Sequence, residues 1–371
     1  QLVGWRQVAL FLVGAGAGIV LYHAAFGFTS AFRVFISDRR GAGLRAQMIM
    51  LAATTLLFIP ALAAGSLFGQ PVRGNFAPLG VPVLAGAFIF GIGMQLGGGC
   101  ASGTLFAVGG GNLRMIVTLF FFVVGSVVGV AHFPWWEQTP QAPALSLLAT
   151  FGPLGAIAAS FAIFGGVAWM STVLERARHG RLLPAPLAPR TGLARVLHGP
   201  WSLVAGALGL VAVNVATLAL AGRPWGITSA FALWGSKAAD RLGLDVASWP
   251  YWADPARQLS LQASVFQDVT SVMDVGIILG AILAAGLAGR FGARTARLTA
   301  PSLAGAVVGG LMLGYGARLA YGCNIGAYFS GVASGSLHGW LWFAAALAGS
   351  VIGTRLRPMF DLPVERTPSS C

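Results

Sequence analysis

Charge is what this chain has least of for its size. Only 9% of its 371 residues are Asp, Glu, Lys or Arg, against about 25% in a typical soluble domain. Cysteine is scarcer still, with three in the chain: Cys100, Cys323 and Cys371. There is no CxxC pair and no Cys/His cluster at ligand spacing, which excludes a disulfide framework and a zinc centre; no cofactor is expected. The basic residues give a formal charge of +13. They are scattered between apolar runs and build no basic domain, so nucleic acid is excluded as a partner.

What is present in quantity is apolar. Hydrophobic residues make up 56% of the chain, and the mean hydropathy is +0.78. A membrane span takes about 20 apolar residues. The apolar runs predict nine spans, at 5–25, 45–69, 79–97, 113–133, 151–174, 201–222, 265–289, 301–320 and 338–356. The chain opens on Gln1, which suggests that some N-terminal residues are missing. Residues 5–25 read as a span, not a cleavable signal, because the first repeat follows directly.

Four Gly/Ser/Thr-rich apolar pieces are too short to cross a membrane: 26–36, 98–111, 224–235 and 322–336. They match in pairs. GIGMQLGGGCASGTLF (91–106) aligns without a gap on GYGARLAYGCNIGAYF (314–329), with one cysteine at the same place in each. FGFTSAF (26–32) recurs as WGITSAF (225–231). The chain therefore reads as one plan written twice: residues 1–150 as a first repeat, 151–200 as a linking span and polar cytoplasmic linker, 201–358 as a second repeat, and 359–371 as a tail. If the short pieces re-enter on the side they left, five crossings separate the repeats and the second is inverted. The fold class expected is an all-α integral membrane protein of about nine transmembrane helices, with four short broken or re-entrant segments in two inverted repeats. Such repeats are a transporter signature, with the binding site where the broken helices meet.

Positive charge orients the chain. One side holds sixteen arginines: Arg33, Arg39, Arg40, Arg45, Arg114, Arg176, Arg178, Arg181, Arg190, Arg195, Arg290, Arg294, Arg297, Arg355, Arg357 and Arg366. The other holds seven basic residues: Arg6, Arg73, Arg223, Lys237, Arg241, Arg257 and Arg318. The richer side is cytoplasmic by the positive-inside rule. The N-terminus is then outside, the C-terminus inside, and the 236–263 loop outside along the membrane surface.

Irregular backbone at membrane depth persists where protein or a water-filled cavity satisfies it. A short helix starting there offers its positive end to an anion. A cysteine at such a place is a weak, polarisable S–H donor, suited to an anion that is held loosely and passed on. The path residues expected are Cys100 and Cys323, with Gly99, Ser102, Gly103, Gly322, Asn324 and Gly326 beside them. Gly27, Thr29 and Thr228 join them from the first pair of broken pieces. Thr29 and Thr228 read either as donors or as helix caps. Asp274, inside an apolar span, is a candidate to couple a proton or pair with an arginine. Arg33 and Arg318 are candidates to draw anions to the two mouths. His23 and His338 read as structural, and Cys371 as incidental.

At GGGCASGT (97–104) and YGCNIGA (321–327) the sequence resembles the YeeE/YedE family of bacterial sulfur-compound transporters, and FGFTSAFR (26–33) resembles its first broken segment. The likeness covers nearly the whole chain. It implies an hourglass-shaped protein of the bacterial inner membrane, not an enzyme, that takes up thiosulfate by passing it between cysteine S–H groups. Cys323 would be the outer station and Cys100 the central one. The partners implied are a small sulfur-containing anion, the lipid bilayer and a cytoplasmic sulfur-carrier protein. The chain departs from the family at Gly27, where thiosulfate-transporting members tend to carry a third cysteine. Alternative readings are uptake of another sulfur or selenium species, a membrane thiol-redox enzyme, or a passive channel.

Overall fold

The computed structural model describes residues 4–183, 191–292 and 298–364; Cys371, Arg190, Arg294, Arg297 and Arg366 lie outside the described residues. Among the described residues nine long helices carry the fold: α1 (Trp5–Ala24), α3 (Ala42–Ala64), α4 (Val81–Gly97), α6 (Leu113–Glu137), α7 (Leu147–His179), α9 (Leu203–Ala221), α12 (Val269–Leu287), α13 (Ala300–Leu319) and α15 (His338–Leu356). Among the described residues eight helical segments are long and apolar enough to cross a membrane, two of them (Trp5–Asp38 and Val81–Gly109) joining a long helix to the short one after it, and the chain is a multi-pass membrane protein. The ninth, α15, is diluted by His338 and Arg355 at its ends. Among the described residues the strands are two short ladders, Ser66–Leu67 with Gln70–Pro71 and Leu79–Gly80 with Gln141–Ala142.

The four short pieces are helical but brief. They are α2 (Phe28–Asp38), α5 (Ala101–Gly109), α10 (Thr228–Arg241) and a π-helical turn, Asn324–Ser330, that runs into α14 (Gly331–Ala333). Two small surface helices, α8 (Gly192–His198) and α11 (Pro255–Gln262), complete the set. Several boundaries differ from the sequence reading, among them the end of α3, which stops at Ala64, short of the expected 69. Helix α7 runs from Leu147 to His179, beyond 151–174, with a break at Gly152 (φ 68°, ψ 179°) just before Pro153. Helix α10 continues to Arg241, past the expected end at 235. Helix α6 continues through Pro134 to Glu137.

The long helices pack through glycine, as helices do when lipid offers no hydrophobic drive to associate. Helix α4 lies against α13 and α15, and α13 also against α6; α1 lies against α12 and α9, and α9 against α3. The glycines repeated in the sequence sit at these crossings. A Cβ on Gly91 of α4 would lie 2.2 Å from the Ala346 carbonyl oxygen of α15, and one on Gly314 of α13 would lie 2.1 Å from that of Phe122 of α6. Residues matched in the two halves thus touch helices that are themselves matched.

Candidate functional site

Both cysteines occupy the same structural position. Cys100 is the N-cap of α5 and Cys323 the N-cap of the Asn324–Ser330 turn, each with extended backbone (φ −79°, ψ −171° and φ −105°, ψ −165°). Each begins its helix with its carbonyl, which accepts from Thr104 N–H at 2.8 Å and from Ala327 N–H at 2.9 Å. The residue before each is glycine because the chain closes tightly on itself there. A Cβ on Gly99 would lie 3.1 Å from the Thr104 nitrogen, and one on Gly322 (φ +146°) would lie 2.8 Å from that of Ala327. An N-cap leaves the amides of the first turn without intrahelical partners. The Gly103 amide is directed at the Cys100 sulfur, and those of Ile325 and Gly326 at Cys323.

The two thiols are free and buried, and their segments touch. Cys100 Sγ lies 3.4 Å from Ser102 Oγ, and Thr29 stands beside the same thiol. Among the described residues the Thr29 hydroxyl makes no hydrogen bond, and neither amide atom of Asn324 makes one. Gly27, not Thr29, is the N-cap of α2, and Ile227, not Thr228, is the N-cap of α10; neither threonine caps a helix. Thr29 and Asn324 are buried polar groups left available at the junction of the broken segments.

Above Cys323 a cavity of about 350 Å³ opens. Its wall carries Arg73, Arg223 and Arg318 with Asn75, Thr228 and Ser229, and its floor includes Gly322 and Gly326. No side chain fills the space at Gly326, where a Cβ would meet nothing closer than 4.0 Å. Among the described residues none of the three arginines forms an ion pair. They are positioned by neutral groups instead: Arg223 Nη2 donates to Thr270 Oγ1 (3.0 Å), and Arg318 Nη1 donates to the Tyr251 hydroxyl (2.8 Å). Asn75 Nδ2 donates to the Gly326 carbonyl (2.6 Å) and fixes the floor. Asn214 secures the facing strand of chain, accepting from Trp225 N–H (2.9 Å) and donating to Ser330 Oγ (3.2 Å).

On the opposite side of the cysteines the arginines are spent on the backbone. Arg114 is buried and donates to the carbonyls of Leu96 (2.6 Å), Gly97 (2.7 Å) and Ser302 (3.1 Å), closing the C-terminal end of α4. Arg357 Nη1 donates to the Gln95 carbonyl (2.6 Å), and Gln95 Nε2 to that of Thr29 (3.3 Å). Arg33 is buried within α2. His338 is held by Ser336 Oγ at 2.7 Å. Among the described residues no cluster of His, Cys, Asp or Glu is suited to a metal ion.

Sequence reasoning reached Cys100, Cys323 and their neighbours because they repeat. It missed Arg73, Asn75, Arg223 and Asn214, which come from loops and helices far apart in the chain. Of these only Arg223 carried a signal, lying two residues before the repeated WGITSAF.

A family model described as sulphur transport matches residues 23–352. The chain is 28% identical over 342 residues to the thiosulfate transporter TsuA of Spirochaeta thermophila, covering 89% of this chain and 92% of that protein. It is 27% identical over 354 residues to the Escherichia coli protein of the same name, covering 91% of each. A third relative, the probable transporter YedE of E. coli, is 30% identical over 148 residues, 39% of this chain and 36% of that protein, so the chain spans about a third of the YedE length. With a family match over most of its length and the repeated cysteine caps at its centre, the chain belongs to the sulphur transport family.

Proposed function

We propose that this protein is an inner-membrane transporter that takes up a small sulfur-containing anion, with thiosulfate the first candidate. The observation that carries the reading is the stacking of three features: an arginine-lined cavity, the buried Cys323 cap just beneath its floor of Gly322 and Gly326, and the Cys100 segment packed against the Cys323 segment. Three guanidiniums that form no ion pair among the described residues draw a dianion into the cavity. Cys323 and the amides around it then take the anion at a helix N-terminus, where the backbone dipole favours negative charge. The Cys100 thiol and Ser102 receive it next. The Thr29 hydroxyl follows, supplying the donor that Gly27 lacks. Neutral S–H and O–H donors hold the ion less strongly than a salt bridge would, and that suits a relay.

The paired helix contacts and matched glycines support two inverted repeats, 1–150 and 201–358, joined by 151–200. In that arrangement the arginine cavity faces outward, since Arg73, Arg223 and Arg318 all belong to the side poorer in positive charge. A cytoplasmic sulfur-carrier protein would be the acceptor on the inner side, a suggestion that rests on the family likeness alone. The test is growth on single sulfur sources in cells stripped of their own uptake systems. Rescue on thiosulfate, lost in Cys100→Ala at equal membrane expression, is the result expected. Rescue on another sulfur source but not thiosulfate would reassign the substrate, and rescue on none would refute the uptake reading.

A further inference from the structure

We propose that passage of the anion is coupled to a proton carried by Asp274, an inference that rests on the anion path just described. Asp274 lies on α12 with no exposed surface, and neither carboxylate oxygen has a hydrogen-bond partner among the described residues. Its position relative to the cavity is fixed by its own helix. Thr270, one turn earlier, accepts from Arg223 Nη2 (3.0 Å) and Ser229 Oγ (3.1 Å), two residues of the cavity wall. A turn of helix is about 5.4 Å, and residues four apart share a face. Asp274 therefore sits one turn below the wall, on the wall's side of α12, and within electrostatic reach of Cys323.

Among the described residues nothing on the elements packed against α12 forms an ion pair with Asp274. Helix α1 meets it through Gly14 and Gly18, and its titratable groups, Arg6, Tyr22 and His23, lie toward its ends. Helix α5 meets it through Gly109 and has no titratable group beyond its cap, Cys100. Helix α10 carries Lys237, Asp240 and Arg241 in its C-terminal half, and Lys237 Nζ donates to the carbonyls of Leu261 and Ala263. The Val265–Gln267 turn has no titratable group, and α8 brings Arg195 and His198. On α12 itself, Asp268 is occupied in capping the helix through Ser271. Arg223 is held at Thr270.

An isolated carboxylate taken out of water is costly enough that such groups hold a proton instead, and an ionisable side chain inside a membrane is a functional candidate by default. Here the two states of Asp274 act in opposite ways on the path. Ionised, it repels a dianion arriving at Cys323. Protonated, it is neutral and leaves the thiols as the groups the anion meets. Proton occupancy and anion occupancy then favour each other, and that mutual effect is coupling. The proton comes from water in the arginine-lined cavity, binds a carboxylate oxygen, and leaves to the far side after the anion has passed. Only an O–H bond is made and broken, and no oxidant or reductant takes part.

The test uses the full chain in liposomes that trap a pH-sensitive dye, with labelled thiosulfate outside. With the wild type, thiosulfate entry should acidify the lumen, and an acid-outside gradient of one pH unit should raise the initial rate about fivefold or more. Asp274→Asn mimics the protonated side chain. It should abolish thiosulfate-driven acidification and the response to the gradient, while exchange of labelled for unlabelled thiosulfate, which needs no net proton movement, continues. Wild-type uptake without proton movement would overturn the proposal, as would a D274N protein that still acidifies, or one that is folded but has lost exchange. If the wild type moves no thiosulfate at all, the substrate reading falls, and the coupling falls with it.

Discussion

The two cysteine segments share one plan in unlike surroundings. In both, a glycine closes the chain, a cysteine caps a short buried helix, and the first amides turn toward the sulfur. Around Cys323, arginines line an open cavity and are positioned by neutral hydroxyls. Around Cys100, the nearby arginines Arg114 and Arg357 are consumed by backbone carbonyls. The difference shows why counting charge by side misses the site. Arg73, Arg223 and Arg318, which the sequence reading assigns to the side poorer in positive charge, line the cavity, whereas Arg114 and Arg357, assigned to the richer side, close helix ends. Position decides what a charge does. A buried arginine with all its donors used is part of the scaffold, and one facing water without an acidic partner is available to a ligand.

The sharpest way to break the matched plan is at its shared crossings. Gly314→Val should have the largest effect, because a Cβ there starts 2.1 Å from the Phe122 carbonyl oxygen. Overpacking commonly costs about 1–3 kcal/mol and occasionally more. Here backbone is struck, so α13 and α6 must separate. Gly91→Val should fail in the same way against Ala346. The check is the yield of monodisperse protein in detergent, which should collapse for both. Normal yield for either would mean that the matched glycines do not set the helix spacing.

Arginines on the two sides should respond differently to substitution. Arg223→Gln and Arg73→Gln should leave folding intact and raise the thiosulfate concentration for half-maximal uptake several-fold. Loss of steering charge should also flatten the dependence on salt. Arg114→Gln should instead lower thermal stability, since it leaves buried carbonyls unpaired at about 1–3 kcal/mol each. A change in apparent affinity without loss of stability in Arg114→Gln would remove the contrast between the sides.

Access sharpens the comparison further. A membrane-impermeant thiol reagent applied from outside should label Cys323, buried just beneath the floor formed by Gly322 and Gly326, faster than Cys100, and thiosulfate should slow the reaction. Equal labelling of both thiols, indifferent to thiosulfate, would indicate a wide aqueous pore. The smallest effect expected is at Gly27. A Cβ there lies 2.5 Å from Ser30 Oγ, a flexible hydroxyl that now donates to the Gly27 carbonyl at 3.0 Å. In Gly27→Cys that hydroxyl turns away, and the lost hydrogen bond costs about 0.5–1.5 kcal/mol. Uptake should stay within about twofold of the wild type, as initial-rate measurements would show.

Much of this architecture was legible in the sequence because it depends on local pattern. Nine apolar runs became nine long helices, and the doubled GC motif marked the two helix caps. Helix ends were less legible. Pro134 sits inside α6, which runs past the expected end at 133, and α3 stops at Ala64, short of the expected 69. Of the cavity's arginines only Arg318 was read as facing an anion, since its meeting with Arg73 and Arg223 depends on how distant segments cross. The roles of Thr29 and Thr228 were left open between donor and cap. Backbone angles at Gly27 and Ile227 make those residues the caps, and no residue pattern encodes such angles.

The relay through buried thiols is tested most directly by initial rates of labelled thiosulfate uptake for Cys100→Ala, with Cys100→Ser and Cys323→Ala alongside. At Cys100 the donor is buried behind the cavity, and water does not readily replace it. A missing hydrogen bond there costs about 1–3 kcal/mol, more to a charged partner, or roughly ten- to a hundredfold in rate at about 1.4 kcal/mol per factor of ten. Cys323→Ala should lose less, because water in the cavity substitutes in part, and Cys100→Ser should retain more than Cys100→Ala because a donor remains. A folded, membrane-inserted Cys100→Ala that transports at the wild-type rate would contradict the account.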